Sequence, residues 1–224
     1  MEGANVSGPG EREVEILAPR VVLPGTLTVP QVVKGVVVFA HGSGSSRLSP
    51  RNRQVASWLH EAGLATLLFD LLIPEEADDR ANVFDIDLLA IRLQAATAWV
   101  RSESGLGSLP VGYFGASTGA AAALVAAAEP SDEVRAIVSR GGRPDLAGSR
   151  LPEVRAPTLL IVGGSDEQVL ALNREAMARM SAEVELMVVP GATHLFEEPG
   201  TLEQAGDHAK TWFARWLSNE HART

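Results

Sequence analysis

Ser117 stands two residues from a glycine on each side, in Gly115-Ala116-Ser117-Thr118-Gly119, with the apolar, β-prone run Val111 to Phe114 before it and the alanine-rich run Ala120 to Ala128 behind it. Strand, sharp turn and helix follow one another without a polar loop. This G-x-S-x-G nucleophile elbow lifts a serine hydroxyl clear of its own chain. The flanking glycines let strand and helix pass closely. The Thr118 amide opens the helix, which aims its N–H and the positive end of the helix dipole at the point where an oxyanion would develop. Serine needs a base to become nucleophilic near neutral pH: an imidazole can accept its proton, and a carboxylate can fix the imidazole's tautomer and stabilise its cation. After an elbow of this kind the acid and then the histidine must follow in that chain order. Asp166 ends the turn Gly163-Gly164-Ser165-Asp166, and His194, 28 residues further on, ends Gly191-Ala192-Thr193-His194.

The competing residues fit less well. His60 and His208 fall within amphipathic helical patterns, His221 lies in a polar tail, and His41 opens a loop where a structural hydrogen bond is the expected role. Among the acids Asp70 is the main rival to Asp166, while Asp145 lies too far past its strand. The loop His41-Gly42-Ser43-Gly44-Ser45-Ser46 begins like a dinucleotide fingerprint, which then fails because Arg47 occupies the place of the third glycine. Its alternative use is to aim the backbone N–H of Ser43 at the oxyanion, opposite that of Thr118. Arg140 and Arg143, just past the strand after the elbow, are candidates to bind an anionic part of a substrate, with surface charge or loop anchoring as the other reading.

The elements that must position these residues read as one α/β domain. Glu13 to Leu17 and Val21 to Val29 are expected as antiparallel edge strands, with a bulge or bend at Pro24-Gly25. Buried strands are expected at Lys34 to Ala40 and Ala65 to Leu72, and further strands at Val111 to Phe114, Val134 to Ser139, Pro157 to Val162 and Val184 to Val189. Helices are expected over Arg51 to Ala62, from Asp85 to Ser102, after the elbow, around Asn173 to Met180, and from Thr201 to Leu217. Pro74 to Asp85 reads as an acidic, irregular loop near a strand's C-terminal end, a solvated connection with the edge of a substrate mouth as the other reading. Strands alternating with helices predict a mostly parallel, twisted sheet of about eight strands covered on both faces, whose C-terminal loops converge on one edge. Residues 1–11 are expected to be disordered, 12–218 to form the domain and 219–224 a polar tail.

Composition excludes several kinds of chemistry. The 224 residues include no cysteine, so disulfides, a thiol nucleophile and thiolate metal sites are ruled out. No histidine or carboxylate cluster has metal-ligand spacing, and neither metal nor cofactor is expected. A net charge of −9 without a basic run argues against nucleic acid or an anionic membrane as a partner. No apolar run is long enough to span a bilayer, Leu64 to Ile73 being interrupted by Asp70. The polar, glycine-rich first ten residues do not read as a secretory signal, and a cytoplasmic location is the expectation.

Taken together, the four motifs at 41–44, 115–119, 163–166 and 191–194 resemble the α/β-hydrolase superfamily, and within it the small, cap-less dienelactone-hydrolase-like branch, over residues 12 to 217. The resemblance implies an α/β-hydrolase fold without a large cap and a triad of Ser117, Asp166 and His194. Dienelactone hydrolases carry a cysteine nucleophile, which this chain lacks, so their substrate does not transfer. Relatives with serine at this position look like general esterases, and similar domains occur fused to phosphoribosyltransferases. The expected activity is hydrolysis of a small carboxylic ester, lactone or thioester through an acyl-enzyme at a shallow, open site. Acyl transfer or perhydrolysis on the same triad, or a ligand- or partner-binding protein with little turnover, are the other readings. A homodimer through exposed sheet edges or the Trp-bearing last helix is the one assembly the sequence offers.

Overall fold

A computed structural model describes residues 9–129 and 134–218. Of the stretch expected to be disordered, residues 1–8 lie outside the described residues, as do the polar tail 219–224 and His221. Gly10 and Glu11, by contrast, already belong to the first strand.

Among the described residues the sheet has eight strands: β1 (Gly10–Ala18), β2 (Val21–Val29), β3 (Gly35–Ala40), β4 (Leu64–Phe69), β5 (Val111–Ala116), β6 (Val134–Arg140), β7 (Thr158–Gly163) and β8 (Val184–Val189), in the order β1-β2-β4-β3-β5-β6-β7-β8. β1 and β2 are antiparallel to their neighbours and the rest run parallel. Of the bulge or bend expected at Pro24-Gly25, no bulge forms. The β1–β2 register runs unbroken from Gly10↔Val29 to Ala18↔Val21, and the pairing of β2 with β4 begins only at Gly25, past the proline that has no N–H to give.

Alternation along the buried strands sends side chains to both faces. Val36 and Val38 point into one core with Leu89, Leu93 and Val100 of α4 (Ile86–Ser102) and the alanines of α5 (Thr118–Ala127). Val37 and Phe39 point into the other with Leu59 of α1 (Pro50–Glu61) and Trp212 and Phe213 of α7 (Thr201–Trp216). The aromatic character of α7 therefore serves the core: Trp212 is buried, and Arg215 stacks over the Trp216 ring at 4.7 Å. α6 (Glu167–Met177) follows Asp166, and a 3₁₀ segment, Pro144–Glu153, fills the connection between β6 and β7.

Local signals account for several boundaries. Asp85 caps α4 by accepting the Leu88 N–H (2.9 Å), and Gly63 takes a positive φ of 79° after α1. Pro74 to Asp85 is not irregular. It folds into two short helices, α2 (Pro74–Ala77) and α3 (Arg80–Val83), the second capped by Asp79 accepting the Ala81 N–H (2.8 Å). Four-residue helices carry too little periodicity to stand out in sequence. Among the described residues no insertion is large enough to make a separate cap, and no helix is long and apolar enough to cross a membrane.

Candidate active site

The strand-to-helix turn at Ser117 has φ 51° and ψ −121°, a conformation that L-residues rarely adopt and that persists only where the surroundings enforce it. Two backbone hydrogen bonds do so: Ser117 N–H donates to the Arg140 carbonyl (3.4 Å), and Arg143 N–H donates to the Ser117 carbonyl (3.1 Å). Close approach does the rest. A Cβ on Gly115 would overlap the Ala120 Cα, and one on Gly119 would overlap the Ala40 carbonyl oxygen. Both obstacles are backbone, which cannot swing aside as a side chain can. Gly119→Ala is therefore expected to cost about 3 kcal/mol through overpacking, read in a thermal melt as a loss of about 6–12 °C in Tm. A change of under about 2 °C would show that the elbow is looser than this geometry.

Asp166 and His194, 28 residues apart in the chain, come together in the fold. His194 Nδ1 lies 2.7 Å from Asp166 Oδ2, with the carboxylate largely buried and the imidazole 38% exposed. A carboxylate can only accept, so the shared proton sits on Nδ1 and Nε2 is left as the basic atom. The turn carrying His194 is held by Glu198, which accepts from the Thr193 N–H (3.0 Å) and hydroxyl (2.7 Å). Ser117, His194 and Arg140 line one cavity of about 590 Å³, together with the loop 42–46 and the start of α1.

The loop after β3 is tied down from below. Leu71 N–H donates to His41 Nε2 (3.0 Å), which puts the ring proton on Nδ1, where it donates to the Gly42 carbonyl (3.0 Å). Burial pushes the His41 pKa below its ordinary value, in keeping with this neutral, structural role. Asp70, the rival acid, accepts from the Arg47 N–H (2.7 Å) and Nη1 (3.0 Å) and so anchors the same loop. The Ser43 N–H does not point freely into the site: it donates to the Thr118 hydroxyl at 3.0 Å. That contact spans the loop and the first residue of α5, and nothing in the local sequence marks it.

The two arginines part company. Arg143 forks onto Asp145, Nε to Oδ1 (2.9 Å) and Nη2 to Oδ2 (2.7 Å), and is not among the residues lining the cavity. It is a loop anchor, held in the bidentate geometry that a guanidinium and a carboxylate favour. Arg140 is buried at the cavity. Its Nη2 donates to Asn52 Oδ1 at 3.4 Å, and burial together with the charge of Arg51 pushes its pKa down to about 10. Asn52 and Asn173 are not legible as site residues in sequence. Each reads as an ordinary polar helix position, yet Asn173 is fully buried and donates to the Gly142 carbonyl (3.0 Å), holding the chain just past Arg140. A second cavity of about 370 Å³ also borders the 42–46 loop. It is lined by Leu71, Leu72, Ala77, Val83 and Leu89, so part of the 74–85 segment walls a cavity. Among the described residues no three His, Cys, Asp or Glu side chains are grouped as metal ligands would be.

The sequence pattern of the dienelactone hydrolase family matches residues 23–219. A dienelactone hydrolase from Anabaena variabilis is 54% identical and superposes with a TM-score of 0.90, covering 93% of this chain and 99% of that one. An esterase of Pyrococcus furiosus shares the fold at 20% identity, with a TM-score of 0.76 and 93% of each chain covered. A protein of Mycobacterium tuberculosis named a putative phosphoribosyl transferase is 64% identical over 203 residues. Those residues are 91% of this chain and 46% of that relative, so the chain spans less than half the length of the curated protein it matches.

Proposed function

The chain belongs to the dienelactone hydrolase family, and from that premise we propose that it is a hydrolase that cleaves carboxylic esters, including lactones and thioesters with small acyl groups, through an acyl-enzyme on Ser117. The observation that carries this reading is the 2.7 Å pair of His194 and Asp166, opening on the same cavity as a serine held at positive φ.

In the proposed cycle Ser117 Oγ attacks the carbonyl carbon while His194 Nε2 takes the hydroxyl proton. Asp166 stabilises the imidazolium through Nδ1. The tetrahedral intermediate collapses, its C–O or C–S bond breaks, and the leaving oxygen or sulfur takes the proton from Nε2. Water then repeats the attack on the acyl-enzyme, releasing the acid and restoring Ser117. The Thr118 and Ser43 amides serve as the oxyanion donors. In the free enzyme the Thr118 hydroxyl occupies the Ser43 N–H, and a carbonyl oxygen gaining negative charge is the stronger acceptor that replaces it. No step needs a cofactor. The phosphoribosyl transferase name belongs to proteins about twice as long. This chain's own residues offer a nucleophile, a base and an orienting acid, the set that acyl hydrolysis uses.

The reading is tested by labelling with a fluorophosphonate probe, located by peptide mass spectrometry. Label confined to Ser117 and abolished in His194→Ala is the expected result. A folded protein whose Ser117 stays unlabelled would replace the ester-cleaving reading with that of a ligand-binding protein on the same fold.

A further inference from the structure

The cavity beside Ser117 carries a charge that the ester chemistry above does not use. Arg140 is 7% exposed, and its Nε and Nη1 have no hydrogen-bond partner among the described residues. Buried polar groups are nearly always satisfied, and a guanidinium is the most costly of them to leave open. Its surroundings hold it without satisfying it. The Phe114 and Phe196 rings lie 6.0 and 5.9 Å from its guanidinium carbon. Such faces steady a cation while accepting no ordinary hydrogen bond. Asn52 takes a single long contact through Nη2.

No side chain lining the cavity neutralises the charge. Among the described residues none of the lining side chains is acidic, and the second cation there, Arg51, is already paired with Glu197 (3.1 Å). The first turn of α1, whose N-terminal end borders the cavity, contains no acidic residue either. In a protein with a net charge of −9, this pocket is left cationic. The register Ala116↔Arg140 sets the arginine on the strand next to the elbow, and Ser117 and Arg140 line the same cavity.

We propose that Arg140 receives an anionic oxygen group, a carboxylate or a phosphate, carried by the substrate, so that the preferred substrates are half-esters with a free acid on the acyl side. The inference rests on the ester-cleaving reading above and narrows its substrate class. Arg140 selects and orients the substrate; it takes no part in bond making. An uncompensated cation attracts an anion, and Arg presents several donors to the oxygens of either group.

The test compares p-nitrophenyl hydrogen glutarate, the p-nitrophenyl ester of 3-phosphonopropionate and neutral p-nitrophenyl valerate on wild type, Arg140→Gln and Arg140→Lys. Wild type should prefer at least one anionic ester over the neutral one by about 30-fold in kcat/KM, the scale of a buried charge pair. The faster of the two identifies carboxylate or phosphate as the source. In Arg140→Gln the anionic-to-neutral ratio should collapse toward unity, and Arg140→Lys should restore part of it. A merely structural arginine would lower all three esters together and leave the ratio untouched, which would overturn the proposal. Wild type alone gives a second test should the variants fail to fold. Glutarate or inorganic phosphate at millimolar concentration should compete with the neutral ester and slow fluorophosphonate labelling of Ser117, and pentanediamide should do neither. Labelling that no anion slows sinks the anion site and leaves the ester-cleaving reading standing; absence of labelling sinks both.

Discussion

Ser117→Ala is expected to lower kcat on a short-chain p-nitrophenyl ester by about a million-fold, the loss seen when a triad nucleophile is removed. Without Oγ no acyl-enzyme forms, and what survives is the residual attack of water in a cavity that still binds the ester. The substitution is a clean one. Ser117 binds Arg140 and Arg143 through its backbone N–H and carbonyl, and alanine retains both contacts. The Tm should stay within about 2 °C of wild type, as for a substitution away from any packing defect. A loss below about tenfold, with the fold intact, would remove Ser117 from the chemistry, because a million-fold effect cannot shrink so far if the acyl-enzyme route carries turnover.

The second large effect is expected at Asp166→Asn, a drop of about ten-thousand-fold in kcat at neutral pH with little change in KM. The carboxylate can only accept from His194 Nδ1 across their 2.7 Å contact. An asparagine there can present its NH₂ instead, which favours the tautomer protonated on Nε2 and leaves no lone pair facing Ser117. It also withdraws the negative charge that stabilises the imidazolium. Single-turnover kinetics on the variant separate this chemical defect from a binding defect. A loss under about tenfold would mean that another group orients the imidazole. Asp70 is poorly placed to be that group, since both of its oxygens are held by Arg47.

These two predictions stand on residues that local sequence can identify, because their signal is short-range. An elbow is defined within five residues, and the acid and the histidine each follow a strand by a short turn. The apolar runs at 35–40 and 64–69 mark buried strands, and they are fully buried. The edges read less well. β1 begins at Gly10 rather than Glu13, because the alternating glutamates of this edge strand pair with β2 while their side chains stay in solvent. Pro24-Gly25, a local breaker, is absorbed without a bulge because the proline lies outside the stretch paired with β4.

Residue type and spacing along the chain were enough for the fold class and for the exclusion of thiol chemistry, and they single out Ser117, Asp166 and His194 as the residues to test. Which polar groups around Ser117 are occupied and which stand open emerged only from packing. Arg140 and Arg143 lie three residues apart and look equivalent in the chain, yet one forks onto Asp145 while the other is buried with two nitrogens unpaired. Likewise the Ser43 amide meets a hydroxyl 75 residues away. Local sequence sets where a side chain leaves the backbone. Whether it finds a partner depends on groups brought near by the packing of strands and helices, and that packing is a property of the whole chain.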